Sequence, residues 1–190
     1  MGTITKWNVF FVLVASLALT VSVGGIRPSP AFGCEYLSGW MTGGGSIFEG
    51  DVAYGGQVAA DGRVTHGFVV HCTQRHSDNL EIVDHVTGLN FHLTELISAS
   101  CSDDPAIDPN PPDAAFDTFE GGGIGRCKLP SSPHSQPCHV FFTFTDGGER
   151  GGCLRDTARI LITDDASGAT LLDIVSGDLD CGNHQAHDGF

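Results

Sequence analysis

The sequence predicts an all-β, antiparallel, disulfide-stabilised domain of β-sandwich or jelly-roll-like type. Three observations carry that expectation. Short runs of β-branched and aromatic residues recur between turn signals. No stretch keeps a helical hydrophobic period. Seven cysteines are spread along the chain without a C-x-x-C pair, which reads as a disulfide framework rather than a zinc thiolate site.

The first 33 residues carry Lys6, an apolar run from Val9 to Val23, and Pro28 and Pro30 ahead of Cys34. This is the pattern of a signal peptide. A bilayer span needs about 20 apolar residues, and this run is shorter and is followed by glycines and prolines. Ala31 and Gly33 fit an A-x-G cleavage site, so the expected organisation is a signal peptide over 1–33 and a single secreted domain over 34–190. Gly33-Cys34 also matches the end of a lipobox, with Ala31 standing where Leu is expected; a lipid anchor at Cys34 is the rival to free secretion.

Strands are expected at Thr65 to Cys72, Leu80 to Asp84, Leu89 to Leu93, Val140 to Thr145, Thr157 to Thr163 and Ala169 to Ser176. In Val140 to Thr145, Val140, Phe142 and Phe144 share one face and Phe141, Thr143 and Thr145 the other. His85-Val86-Thr87-Gly88 and Asp164-Asp165-Ala166-Ser167-Gly168 are turn-rich and of hairpin length. A helical turn is expected only near Leu93 to Ala99. Seven of the nine prolines lie between Cys101 and Cys138 together with Gly121 to Gly125, which predicts one long Pro/Gly-rich loop. Segment 34–46, with Gly43-Gly44-Gly45-Ser46, reads as a lead-in or an edge strand. The expected core is Phe68, Val70, Leu80, Ile82, Phe91, Leu93, Phe142, Phe144, Ile160, Ile162, Leu172 and Ile174. With Cys34 set apart, the remaining six cysteines allow 15 pairings, and the expected set is Cys72–Cys101, Cys138–Cys153 and Cys127–Cys181.

All 23 acidic residues follow Cys34, against a whole-chain net charge of −14. Nucleic acid is excluded as a partner, because phosphate binding needs clustered Lys and Arg. Two clusters are candidates for chemistry. Gly182-Asn183-His184-Gln185-Ala186-His187 reads as a turn, in which His184 and His187, joined by His66, His71 or His92 from neighbouring strands, offer imidazoles to zinc or copper. Asp146, Glu149 and Asp156 lie in a glycine-rich loop of the kind that gathers oxygen ligands for calcium. Each has a plainer reading: a hydrogen-bonded turn for the first, and a loop bridged internally by Arg150 and Arg155 for the second. Asp103, Asp104, Asp108, Asp113 and Asp117 read as a solvated acidic loop. No G-x-S-x-G elbow and no P-loop occurs in the sequence.

Met41 to Ile47, Thr65-His66-Gly67-Phe68-Val69-Val70-His71-Cys72, Phe91-His92-Leu93, Phe142 to Glu149 and Gly182 to His187, taken in this order, resemble a bacterial secreted domain that follows choice-of-anchor cell-surface modules. The resemblance implies an extracellular accessory domain with no assigned activity or ligand. It departs from that pattern where Arg150 replaces a proline and Cys153 lengthens the acidic loop. The expected function is therefore a non-catalytic extracellular structural or binding module, stabilised by a cation, with a cell-surface protein or polysaccharide as partner and no membrane span in the mature chain. A metal-dependent hydrolase built on His184 and His187 is one alternative. An adhesion module exposing Trp40 or Tyr54 is the other.

Overall fold

Alternating burial along Arg63–His71, Asn79–Asp84, Gln136–Thr145 and Thr157–Asp164 shows what drives this fold. The computed structural model describes residues 38–48, 52–54, 57–58, 62–73, 77–107, 114–148, 156–174 and 177–189. These form eleven strands: β1 (Gly39–Phe48), β2 (Val52–Tyr54), β3 (Gln57–Val58), β4 (Arg63–His71), β5 (Asn79–Asp84), β6 (Asn90–Ser102), β7 (Thr118–Lys128), β8 (Gln136–Thr145), β9 (Thr157–Asp164), β10 (Thr170–Ile174) and β11 (Cys181–Asp188). All pair antiparallel in one sheet of order β11-β1-β4-β5-β6-β7-β8-β9-β10-β2-β3. No helix occurs among the described residues, and none is long and apolar enough to cross a membrane. The expected signal peptide and Cys34 lie outside the described residues.

The sheet curls so that the segment leading into β11 lies against β9. Ala158 N–H donates to Gly177 O and Leu179 N–H to Asp156 O, while Asp180 N–H donates to Ser46 O. The segment leading into β11 thus ties β9 to β1. One concave face becomes the core, and every residue expected there is buried, joined by Met41, Ile47, Phe116, Phe119 and Val140. Period-2 patterning is the cause: in β8, Val140, Phe142 and Phe144 turn inward while Phe141 is exposed.

Several expectations are corrected. The anticipated helical turn at Leu93 to Ala99 is part of β6, which runs on to Ser102 with two register shifts against β7. Burial of Leu93 and Leu96 against the core is available to a bulged strand and outweighs local propensity. The long loop expected between Cys101 and Cys138 is interrupted by β7, which contains the very glycines that suggested a loop. They are there because rings fill the adjacent space: a Cβ on Gly121 would stand 2.3 Å from the Phe142 ring, and one on Gly125 2.3 Å from Phe91. Segment Gly43 to Ser46 belongs to β1, which is no edge strand but lies between β11 and β4.

Cys72–Cys101 forms as expected. Cys127, however, bonds Cys138, correcting the pairings of Cys138 with Cys153 and of Cys127 with Cys181. Cys127 and Cys138 are buried diagonal neighbours on adjacent strands, Cys127 opposite Gln136 and Cys138 opposite Gly125, with Cα atoms 6.0 Å apart, within the reach of a disulfide. Cys181 is an exposed free thiol, and Cys153 lies outside the described residues.

The β5–β6 and β9–β10 turns are built alike. In each an Asp opens the turn (Asp84, Asp164) and takes N–H or O–H donors from Val86 and Thr87 in one case and from Ser167 in the other. In each, a glycine donates its N–H back to the Asp carbonyl with positive φ, 72° at Gly88 and 68° at Gly168. The Ser167 bonds hold the Asp164 carboxyl below its ordinary pKa. Gly168→Ala is expected to cost about 1 kcal/mol through backbone strain alone, since a Cβ there meets open space. Gly88→Ala is expected to cost more, because its Cβ would fall 2.5 Å from Pro130 Cγ. Urea denaturation of the two variants checks the order.

Candidate functional site

The glycine-anchored turn expected at 182–187 is a strand, and that changes which histidines can meet. Residues three apart on a strand face opposite sides of the sheet. In β11, His184 points into the core and is fully buried, whereas His187 lies on the convex face. There its ring stacks on Trp40 at 5.0 Å and its Nε2 pairs with Thr42 Oγ1 at 3.0 Å. Trp40 is accordingly half-buried, and the side chain of Tyr54 lies outside the described part. His184 and His187 therefore do not share a ligand position. His71 is engaged with Asp78 and His92 with Glu81.

The partner of His184 is His66. Their Nε2 atoms lie 2.8 Å apart in the core. The two residues sit on strands that flank β1, His66 opposite Gly45 in β4 and His184 opposite Gly43 in β11. Because β1 carries no side chain at either position, the two rings reach each other across it. Gly43 is required for this, since a Cβ there would stand 2.9 Å from Cδ2 of the His184 ring. Phe68 and Phe144 stack at 4.1 Å, His66 lies parallel to Phe144 at 5.3 Å, and His184 meets Phe68 edge-on at 5.0 Å.

Hydrogen bonding fixes both tautomers. His184 Nδ1 faces the Thr145 carbonyl at 3.1 Å and must be its donor, which leaves its Nε2 as an acceptor. His66 Nε2 is then the donor across the pair, and its Nδ1 carries a lone pair that has no partner although it is buried. The apolar surroundings oppose charge on either ring. Burial lowers the His66 pKa to about 4. Burial, then the neighbouring His66, lowers that of His184 to about 3, against a smaller opposing effect of the Thr145 bond.

Asp146 and Asp156, expected as calcium ligands, are buried next to this pair. They stand at the two ends of the β8–β9 connection, and both reach β11. Asp156 Oδ2 accepts His184 N–H at 2.5 Å and Oδ1 accepts Gly147 N–H at 2.9 Å. Asp146 Oδ2 accepts Ala186 N–H at 2.9 Å and Oδ1 accepts Gly148 N–H at 2.9 Å. The N–H groups of residues 184 and 186 point away from β1, so on the open side of β11 two carboxylates stand where a further strand would supply carbonyls. Glu149, the third expected calcium ligand, lies outside the described residues. No group of three or more His, Cys, Asp or Glu side chains suited to a metal occurs among the described residues.

Of the acidic stretch expected to be solvated, Asp117 is buried. It accepts Asp104 N–H through both carboxylate oxygens and the Thr118 hydroxyl, and its carbonyl accepts Asp146 N–H. Burial, then the neighbouring charges of Asp103 and Asp104, raise its pKa above the ordinary carboxylate value, against the opposing effect of those hydrogen bonds.

No family model, no curated protein and no solved structure matches the chain. The site is accordingly read from its own chemistry. A buried neutral histidine pair and two carboxylates saturated by main-chain donors are suited to holding β11 in place.

Two predictions follow from these contacts. The unfolded chain takes up a proton at each histidine near pH 6.5, while folded His66 and His184 resist until about 4 and about 3. The unfolded state thus binds more protons throughout that interval, so stability is complete above pH 6.5 and is lost as pH falls toward 4. For His66 alone the displacement is worth roughly 3 kcal/mol. Denaturant melts from pH 7.5 to 4.5 should show the decline, and a His66→Leu/His184→Leu variant should flatten it. Asp156→Ala is expected to cost about 2 to 3 kcal/mol through two lost charge-assisted bonds, with hydrogen exchange accelerating first at the amide of residue 184. Asp146→Ala should accelerate residue 186 first.

Proposed function

We propose that this chain is a non-catalytic extracellular module, structural or binding, of the kind carried on bacterial surfaces. One observation carries the reading: the polar groups best suited to chemistry are turned inward and engaged with the fold. The carboxylates of Asp146 and Asp156 accept main-chain N–H groups of β11 and of their own loop, and His184 is engaged by His66 and Thr145. A hydrolytic metal centre needs an open coordination position and a base within reach of bound water; a buried imidazole pair packed against Phe68 and Phe144 is poorly arranged for that.

The remaining support is compositional. Two disulfides among the described residues suit an oxidising compartment, the N-terminal 33 residues have the pattern of a signal peptide, and the order of motifs resembles secreted domains that follow choice-of-anchor modules. Strong net negative charge favours solubility and disfavours nucleic acid.

Because main-chain donors engage the carboxylates, cations are expected to be dispensable. Secreted protein purified without chelator should contain no stoichiometric calcium, zinc or copper by elemental analysis. Its melting temperature should move by less than about 2 °C on addition of EDTA or calcium. A stoichiometric metal, or a melting temperature that falls with EDTA, would overturn the reading in favour of a cation-held module or a metal-dependent hydrolase.

A further inference from the structure

The convex face of β6 to β9 differs from the rest of the outer surface. At several places on that surface polar side chains pair with one another: Thr65 with His85, Glu81 with His92, His71 with Asp78, His139 with Asp165. Around Phe141 they do not. Strand register sets out two adjacent rows there, Ser98–Gly122–Phe141–Leu161 and Ser100–Glu120–Thr143–Arg159. Among the described residues, the side chains of Ser98, Ser100, Glu120, Thr143 and Arg159 make no hydrogen bond or ion pair. Phe141 is 58% exposed. It leans over the bare strand at Gly122, where a Cβ would stand 3.2 Å from two of its ring carbons. Together these residues border a shallow depression of about 450 Å³.

We infer that this depression binds a neutral oligosaccharide, with the Phe141 ring as the platform for one sugar. The ring presents an electron-rich face to the C–H bonds of a pyranose. The adjoining row offers what sugar hydroxyls need: Glu120 accepts, Arg159 donates, and Ser98, Ser100 and Thr143 do either. Four strands at about 4.8 Å spacing give a span of about 14 Å, enough for a short oligosaccharide. Competing occupants fit less well. An added peptide strand would need free main-chain donors, and β7 and β8 are paired on both sides. A polyanion is opposed by the net charge of −14, with one carboxylate and one guanidinium at the depression itself.

The test is titration of the secreted protein, followed by amide NMR shifts, with cello-, chito-, manno- and xylo-oligosaccharides, and with polygalacturonate and an apolar peptide as contrasting ligands. One neutral series is expected to saturate at millimolar concentration, with shifts confined to β6 through β9. Phe141→Ala should weaken it by about tenfold and Arg159→Ala should weaken it as well. Phe141→Tyr should preserve it, and Val69→Ala, at a separate surface depression that Thr65, Gly67, Asn79 and Glu81 line on β4 and β5, should leave it unchanged. Phe141 and Arg159 are exposed, so these variants should melt with the parent. Absence of binding to every neutral series, binding that survives Phe141→Ala, or binding of polygalacturonate or the peptide alone would overturn the inference. None of these results bears on the cation-free scaffold.

Discussion

A curled antiparallel sheet has two edges to dispose of, and the edge at β11 is the constraint on which the rest of this structure depends. Open N–H groups on an edge strand invite pairing with other chains. Here those of residues 184 and 186 are taken by Asp156 and Asp146, which sit on the far half of the sheet. The carboxylates therefore do two things with the same atoms: they satisfy the edge, and they fasten one half of the curl to the other. The His66–His184 bond lies just beneath, so that strand, core and closure meet at one place. Burying such groups is costly, and it is tolerated because nearly every donor and acceptor is matched. The exception is Nδ1 of His66, which accompanies the tautomer that the Thr145 carbonyl imposes.

Much of the fold was legible because period-2 patterning depends only on local sequence. The whole expected core is buried, and the hairpins at Asp84 to Leu89 and at Asp164 to Ala169 are marked by Asp, Thr or Ser, and Gly in fixed order. What was not legible depended on partners distant in sequence. The glycines of β7 look like a loop until Phe91 and Phe142 occupy the space their side chains would have taken. Gly43 and Gly45 look like a lead-in until His66 and His184 arrive from either side. A strand of alternating bare positions between two histidine-bearing strands was the available signal. It cannot be used before strand order is known.

The histidines of the candidate site depend on distant partners in the same way. Spacing of three between His184 and His187 suggests common purpose on a turn or helix, and the opposite on a strand. Asp146 and Asp156 are near one another in sequence, but their main-chain partners include residues 184 and 186 of β11, nearly thirty residues beyond Asp156. Chemistry-bearing residue types thus gathered at one place in order to hold it, while Phe141 and its unpaired polar neighbours, which no motif marked, remain on the accessible surface.

The strand order also separates local pairings from distant ones. From β4 to β10 each strand pairs with the one that follows it in the chain, so this meander is built of contacts close in sequence, its longest connection running from Ser102 to Thr118. The pairing of β1 with β11 is of another kind, matching Gly39 to Asp188 across almost the whole described chain. The loop that this pairing closes is the longest in the sheet and carries the largest closure entropy, a cost offset where β11 meets Asp146, Asp156 and His66. Without β11, Phe68 would lose its edge-on contact with the His184 ring, and that end of the core would lose its cover.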